Sequence, residues 1–138
     1  MRRAVVAVLL VAMPTNVVAQ PSATRAEAPG RSEVGSAMLR AQEALRRCTP
    51  PLRGVVHVFV TFGRDGRVRN AAFGLISERE TRRVDMSFLP EAASAVPLNA
   101  RPGFARSSVG RCVLAEVGRV TVAAFTRPEF VVLYSYAL

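Results

Sequence analysis

Gly54-Val-Val-His-Val-Phe-Val-Thr-Phe-Gly-Arg-Asp-Gly-Arg-Val68 is the stretch on which the fold turns. Within it Val56, Val58, Val60 and Phe62 make one unbroken apolar face, while Val55, His57, Phe59 and Thr61 make a mixed one. A period of two is the mark of a strand with one side covered and the other partly wet. Asp65-Gly66 then supplies the positive φ that a tight hairpin turn demands. The chain is therefore expected to return as a second strand over Val68 to Ser77.

Upstream, Val34, Met38, Ala41, Leu45 and Cys48 recur at steps of four, three, four and three, one stripe of an α-helix. Ser32 is a candidate cap and Pro50-Pro51 a stop, giving a helix over Glu33 to Cys48. Downstream, Ser107-Ser108 opens a second amphipathic helix with Val109, Cys112, Val113, Val117 and Val120 on one side and Gly118 as its end signal. Val120 to Phe125 reads as a short extra strand. Thr126 to Glu129 is a turn, and Phe130 to Leu138 is the last strand, with Phe130, Val132, Tyr134 and Tyr136 on one face. Between these elements Glu78 to Arg106 is an irregular insertion broken by Pro90, Pro97 and Pro102, with a short helix near Pro90 to Ala95. Loops this long are functional or disordered, and disorder is the expectation. The expected fold class is α+β, an αββαβ two-layer domain with a small antiparallel sheet and two helices packed on one face.

The beginning of the chain speaks to compartment. Met1-Arg2-Arg3, an apolar run from Ala4 to Met13, and Val17-Val18-Ala19 ahead of Gln20 have the form of a secretory signal peptide over residues 1–19. That run is well short of the roughly 20 apolar residues a bilayer span requires. No cysteine stands near the cleavage point to take a lipid, and no membrane span is expected once the signal is removed. Residues 20–32 are small and polar with two prolines and read as a flexible tether. A single domain is left over 33–138. The expected localisation is exported, in the periplasm or secreted.

Export changes how the cysteines are read. Both fall on the apolar stripes of their helices, and in an exported chain such a pair reads as a disulfide between Cys48 and Cys112, the alternative being two separate buried thiols. Closing so long a loop is worth about 4 kcal/mol on the chain-entropy model. Two cysteines and a distant histidine do not make a four-ligand metal set. Neither a metal nor a cofactor is expected.

Taken in order, Cys48, Gly54 opening its strand, the Val-x-Val-x-Phe run, Asp65-Gly66-x-Val68, the Ser-Ser-Val-Gly-Arg-Cys-Val helix start and Phe125-Thr-Arg-Pro-Glu-Phe-Val-Val-Leu-Tyr-Ser-Tyr136 carry a resemblance. From about Glu33 to Leu138 the chain resembles the short, two-cysteine TonB C-terminal-like domains of myxobacterial gliding-motility and envelope proteins (the AgmX/PglI C-terminal type). The resemblance implies protein contact in the periplasm and no catalysis. The chain departs from that family in lacking a tryptophan before the last strand and in the 78–106 insertion. It also lacks the membrane anchor and proline-rich span of TonB itself, so energy transduction is not implied.

The residues offer little chemistry. His57 is the lone histidine and is expected at the surface of its strand. No Gly-x-Ser-x-Gly elbow occurs, and no second histidine could complete a triad. Lysine is absent, which excludes a P-loop and Schiff-base mechanisms. Glu78 and Glu80, beside Arg79, Arg82 and Arg83, read as surface ion pairs. The chain is not expected to be an enzyme.

Charge leaves two readings open. The net charge is +9, carried wholly by arginine. Arg46, Arg47, Arg53, Arg64, Arg67 and Arg69 are a candidate patch for an anionic polymer such as polysaccharide, lipid headgroups or extracellular DNA, against the plainer alternative of a solvated basic surface. Intracellular nucleic acid is not an expected partner. The first reading is instead a module that docks on an envelope protein by β-augmentation, with Phe130, Val132, Tyr134 and Tyr136 on the edge strand.

Overall fold

The computed structural model describes residues 24–48, 53–89 and 96–138. The proposed signal segment and the helix expected near Pro90 to Ala95 lie outside these residues. The first element, α1, spans Arg31–Cys48 and buries Val34, Met38, Ala41 and Leu45, the stripe its spacing predicts. Glu33 in its first turn and Arg46 and Arg47 in its last complement the helix dipole. It begins one residue ahead of Ser32, where the Gly30 carbonyl accepts the Val34 N–H. Ser32 is thus inside the helix rather than its cap.

The tether expectation is corrected for residues 24–32. The Ala26 and Glu27 carbonyls accept the N–H groups of Thr126 and Arg127, and Pro29 is buried. Hydrogen bonds to the chain just ahead of the last strand hold this segment down.

Strand β1, Val55–Gly63, turns at Gly66 (φ 79°) into β2, Val68–Phe73. A Cβ on Gly66 would strike the Val122 carbonyl, so glycine is required there by packing as well as by φ. Strand β2 stops four residues short of the expected Ser77. The Asn99 carboxamide inserts at that point: its Oδ1 accepts the His57 N–H at 2.9 Å and its Nδ2 donates to the Gly74 carbonyl at 2.9 Å. A side chain has taken the place of one rung of the β1–β2 ladder.

Beyond it the short helix α2, Glu78–Thr81, capped by Ser77, leads to β3, Met86–Phe88. Helix α3, Ser108–Val117, starts where Ser107 Oγ accepts the Gly110 N–H at 3.0 Å, and it ends at Gly118. Strand β4 is Glu129–Ala137. The Val120 to Phe125 segment forms a strap rather than a strand. It makes one bridge, Arg67 to Thr121, and ties down through Val122 N–H to the Gly66 carbonyl and Phe125 N–H to the Arg64 carbonyl.

The fold is α+β, with sheet order β2-β1-β4-β3. Strand β1 pairs antiparallel with β2 and, over its whole length, with β4; β3 pairs parallel with β4. The sheet is therefore mixed, where an antiparallel one was expected. The insertion accounts for this: it carries the chain from one margin of the sheet to the other and adds a strand there. Helices α1 and α3 cover one face over Val56, Val58, Val60, Phe62, Val132 and Tyr136, all fully buried. Each such side chain contributes about 1.5–3 kcal/mol relative to exposure. The Cys48–Cys112 disulfide joins the end of α1 to the first half of α3, with a Cα–Cα distance of 5.7 Å and a sequence separation of 64.

Candidate functional site

The edge assigned from sequence is not an edge. Strand β4 lies between β1 and β3, and Phe130, Val132 and Tyr136 are core residues. Burial and the neighbouring Tyr134 raise the Tyr136 hydroxyl far above its ordinary range, and burial also raises Tyr134. Tyr134 is half-buried, its ring 5.3 Å from that of Phe88 on β3. The physical reason is β3 itself. Met86, Ser87 and Phe88 take up the side of β4 that would otherwise be free.

The margins of the sheet are β2 and β3. The short β3 is partly guarded: the Arg31 guanidinium lies 4.4 Å from the Phe88 ring centroid and donates to the Ser87 carbonyl at 2.9 Å. Strand β2 is twice as long, and among the described residues no strand pairs with its outer side. The Gly74 N–H donates to the His57 carbonyl. Counting back from there by the alternation of an antiparallel ladder, Ala72 and Asn70 turn their backbone groups toward β1 and Ala71 turns outward. At the end of β2 a cleft of ≈ 650 Å³ is lined by Phe59, Phe73, Leu75, Asn99 and Ala105 among others.

The six arginines of the candidate patch do not come together. Arg46, Arg47 and Arg53 flank the start of β1, whereas Arg64, Arg67 and Arg69 surround the hairpin at its far end. At about 3.3 Å per residue, the nine residues of β1 hold the two groups on the order of 26 Å apart. The fold instead brings Arg101, Arg106 and Arg111 to the first group. Leu98 packs against Gly54, Phe104 meets Phe73 edge to face with centroids 5.2 Å apart, and Arg111 donates to the Arg106 carbonyl.

His57 is buried, not at the surface. Its Nδ1 lies 2.7 Å from Ser135 Oγ across the β1–β4 pairing, and burial lowers its pKa, favouring the neutral ring. The Asn99 carboxamide is committed to backbone groups and does not orient the ring, so this histidine–serine contact acts as a clasp between two strands. Glu78 pairs with Arg82 at 2.6 Å, both exposed, as its surroundings predict, whereas Glu80 lines the cleft beside β2. Among the described residues no group of three or more His, Cys, Asp or Glu side chains could hold a metal ion. Among them, too, no helix is long and apolar enough to cross a membrane.

The free β2 margin, the cleft and the Asn99 insertion are what sequence reasoning missed. The third strand did leave a signal, since Val84, Met86 and Phe88 alternate with polar residues. Nothing in Pro97-Leu98-Asn99 announces a side chain that replaces a ladder rung.

No protein-family model matches this chain, and no curated protein and no solved structure matches it either.

Proposed function

We propose that this protein is a non-catalytic, exported interaction module of the cell envelope that docks on a partner protein by accepting an extended segment along β2. The observation that carries this is the outer side of β2, Val68–Phe73, with which no strand among the described residues pairs and which runs into a cleft where Phe59, Phe73 and Leu75 stand beside Ser77, Glu80 and Asn99. Main-chain hydrogen bonds to such an edge give affinity, and a pocket beside it selects a side chain of the incoming strand. The disulfide fits an oxidising compartment outside the cytoplasm. The signal-like first nineteen residues and the resemblance to TonB C-terminal-like domains add to the same reading.

The test is crosslinking and pull-down of the tagged protein from the envelope fraction, washed at low and at high salt. An edge-docked partner stays bound in high salt. Ala71→Pro, which removes an outward N–H while sparing the β1 ladder, releases it. Retention by the Ala71→Pro protein, or loss of every partner at high salt, rules out docking on this edge.

A further inference from the structure

The end of the domain that holds the disulfide collects two kinds of surface. Arg47, Arg53, Arg101, Arg106 and Arg111 are all exposed there, and none takes part in an ion pair among the described residues. Among the described residues the acids nearby are Glu43, which is paired with Arg46 at 3.1 Å, Glu78, which is paired with Arg82 at 2.6 Å, and Glu80 at the cleft. The same end carries aliphatic side chains in water. Leu89 follows the last residue of β3, and Val96 comes two residues before the Leu98 that packs on Gly54. They are 38% and 81% exposed, and Leu75, just beyond β2, is 55% exposed. Three of the four large apolar side chains most exposed among the described residues thus sit at one end of the sheet, among unpaired guanidinium groups.

We propose that this end docks on an anionic lipid bilayer. The arginines engage lipid phosphates, while Leu89 and Val96 enter the boundary between headgroups and acyl chains. Guanidinium groups take phosphate oxygens in a bidentate fork, and basic residues at an anionic surface act together. The exposed aliphatics decide between a bilayer and a soluble polyanion. They gain by leaving water only where an apolar layer lies behind the charge. This surface adjoins the β2 cleft at Leu75 and Ala105, but neither Leu89 nor Val96 lines that cleft, and vesicles free of protein report on this surface alone.

The experiment uses the protein expressed from Met1 and purified as the cell processes it. It is sedimented with vesicles of phosphatidylcholine containing one-quarter phosphatidylglycerol, and with vesicles of phosphatidylcholine alone, over a salt series. Partition onto the anionic vesicles is expected, falling as salt rises. Arg53→Gln combined with Arg106→Gln should lower it about 25-fold, roughly fivefold for each guanidinium lost. Leu89→Ser combined with Val96→Ser should lower it by about tenfold. Arg64→Gln combined with Arg67→Gln, at the hairpin, should leave it within about twofold, since that end lies beyond the screening length of the surface. All these side chains are exposed, and matching thermal melts establish that each variant folds. The proposal is overturned if the parent protein ignores anionic vesicles, or if the hairpin pair loses as much as the disulfide-end pair. It is also overturned if the aliphatic pair changes nothing while soluble polyphosphate strips the protein from the vesicles, which would mark a binder of dissolved polyanions.

Discussion

The two ends of the sheet hold their arginines differently. Toward the hairpin end Arg127 bonds Asp85 at 2.8 Å and Arg119 bonds Glu116, while Arg64, Arg67 and Arg69 are exposed and enter no ion pair among the described residues. At the disulfide end Arg47, Arg53, Arg101 and Arg106 meet no carboxylate among the described residues. A uniform arginine-rich composition therefore has no uniform meaning. Where acids accompany the arginines the charge is settled inside the fold; where they do not, it is left facing solvent.

The comparison also separates how each end is held, and substitution can break it. The disulfide end depends on a covalent tie, so Cys112→Ser should give the largest loss, about 3–4 kcal/mol in urea unfolding. Reducing the parent protein should reproduce it; a loss under about 1 kcal/mol would mean that the α1 and α3 contacts hold this end unaided. The hairpin end depends on close backbone approach. Gly66→Ala forces a side chain to adopt φ 79° and presses its Cβ on the Val122 carbonyl, costing about 2 kcal/mol. An undiminished urea midpoint would show that the strap bearing Val122 moves aside freely.

A pH series sharpens the contrast further. The folded state holds His57 neutral by burial, so its pKa lies below the ordinary 6.5. The contribution from this group is fully present above about pH 6.5 and is lost as pH falls toward the folded pKa, because the unfolded chain takes the proton first. His57→Gln should flatten that part of the profile between pH 7.5 and about 5.5. Parallel profiles for the two proteins would place the ring in water. The smallest effect is expected from Arg46→Gln. It removes an exposed pair with Glu43 and should change stability by at most a few tenths of a kcal/mol. A larger change would mean that the last turn of α1 needs that ion pair.

Local periodicity explains what was legible. Residues 31–48, 55–63, 108–117 and 129–137 each carry a pattern that their own burial then satisfies, and the cysteines follow because both stripes face one sheet. What the pattern could not carry is order within the sheet. Phe130, Val132 and Tyr136 read the same whether their strand is central or marginal, since alternation reports which face is buried and is silent about what pairs at the side. Three residues, Met86–Phe88, settle that question from within a proline-broken stretch. The arginine patch failed for a related reason. Closeness in sequence across a strand is distance in space, and 53 and 64 stand at opposite ends of β1. His57 misled because the mixed face of β1 is not evenly wet. His57 and Leu133 are buried there, on the side left to the connection from β2 to β3, where Ser77 and Glu80 share the cleft with Phe59.

One earlier detail bears on load. Ala26 and Glu27 are fastened to Thr126 and Arg127 at the hairpin end, while Leu138 exchanges two hydrogen bonds with Gly54 at the other. A pull applied between residue 26 and the carboxyl end therefore runs along β4. The β4 backbone itself bears that tension, and the hydrogen bonds from Thr126 and Arg127 are the link that yields first. Once they part, the load reaches β1 at Gly54, beside Leu138, and the nine pairings of β4 with β1 open one after another from that end. Residues 26 and 27 are in this sense a latch that keeps the sheet from being opened like a zip.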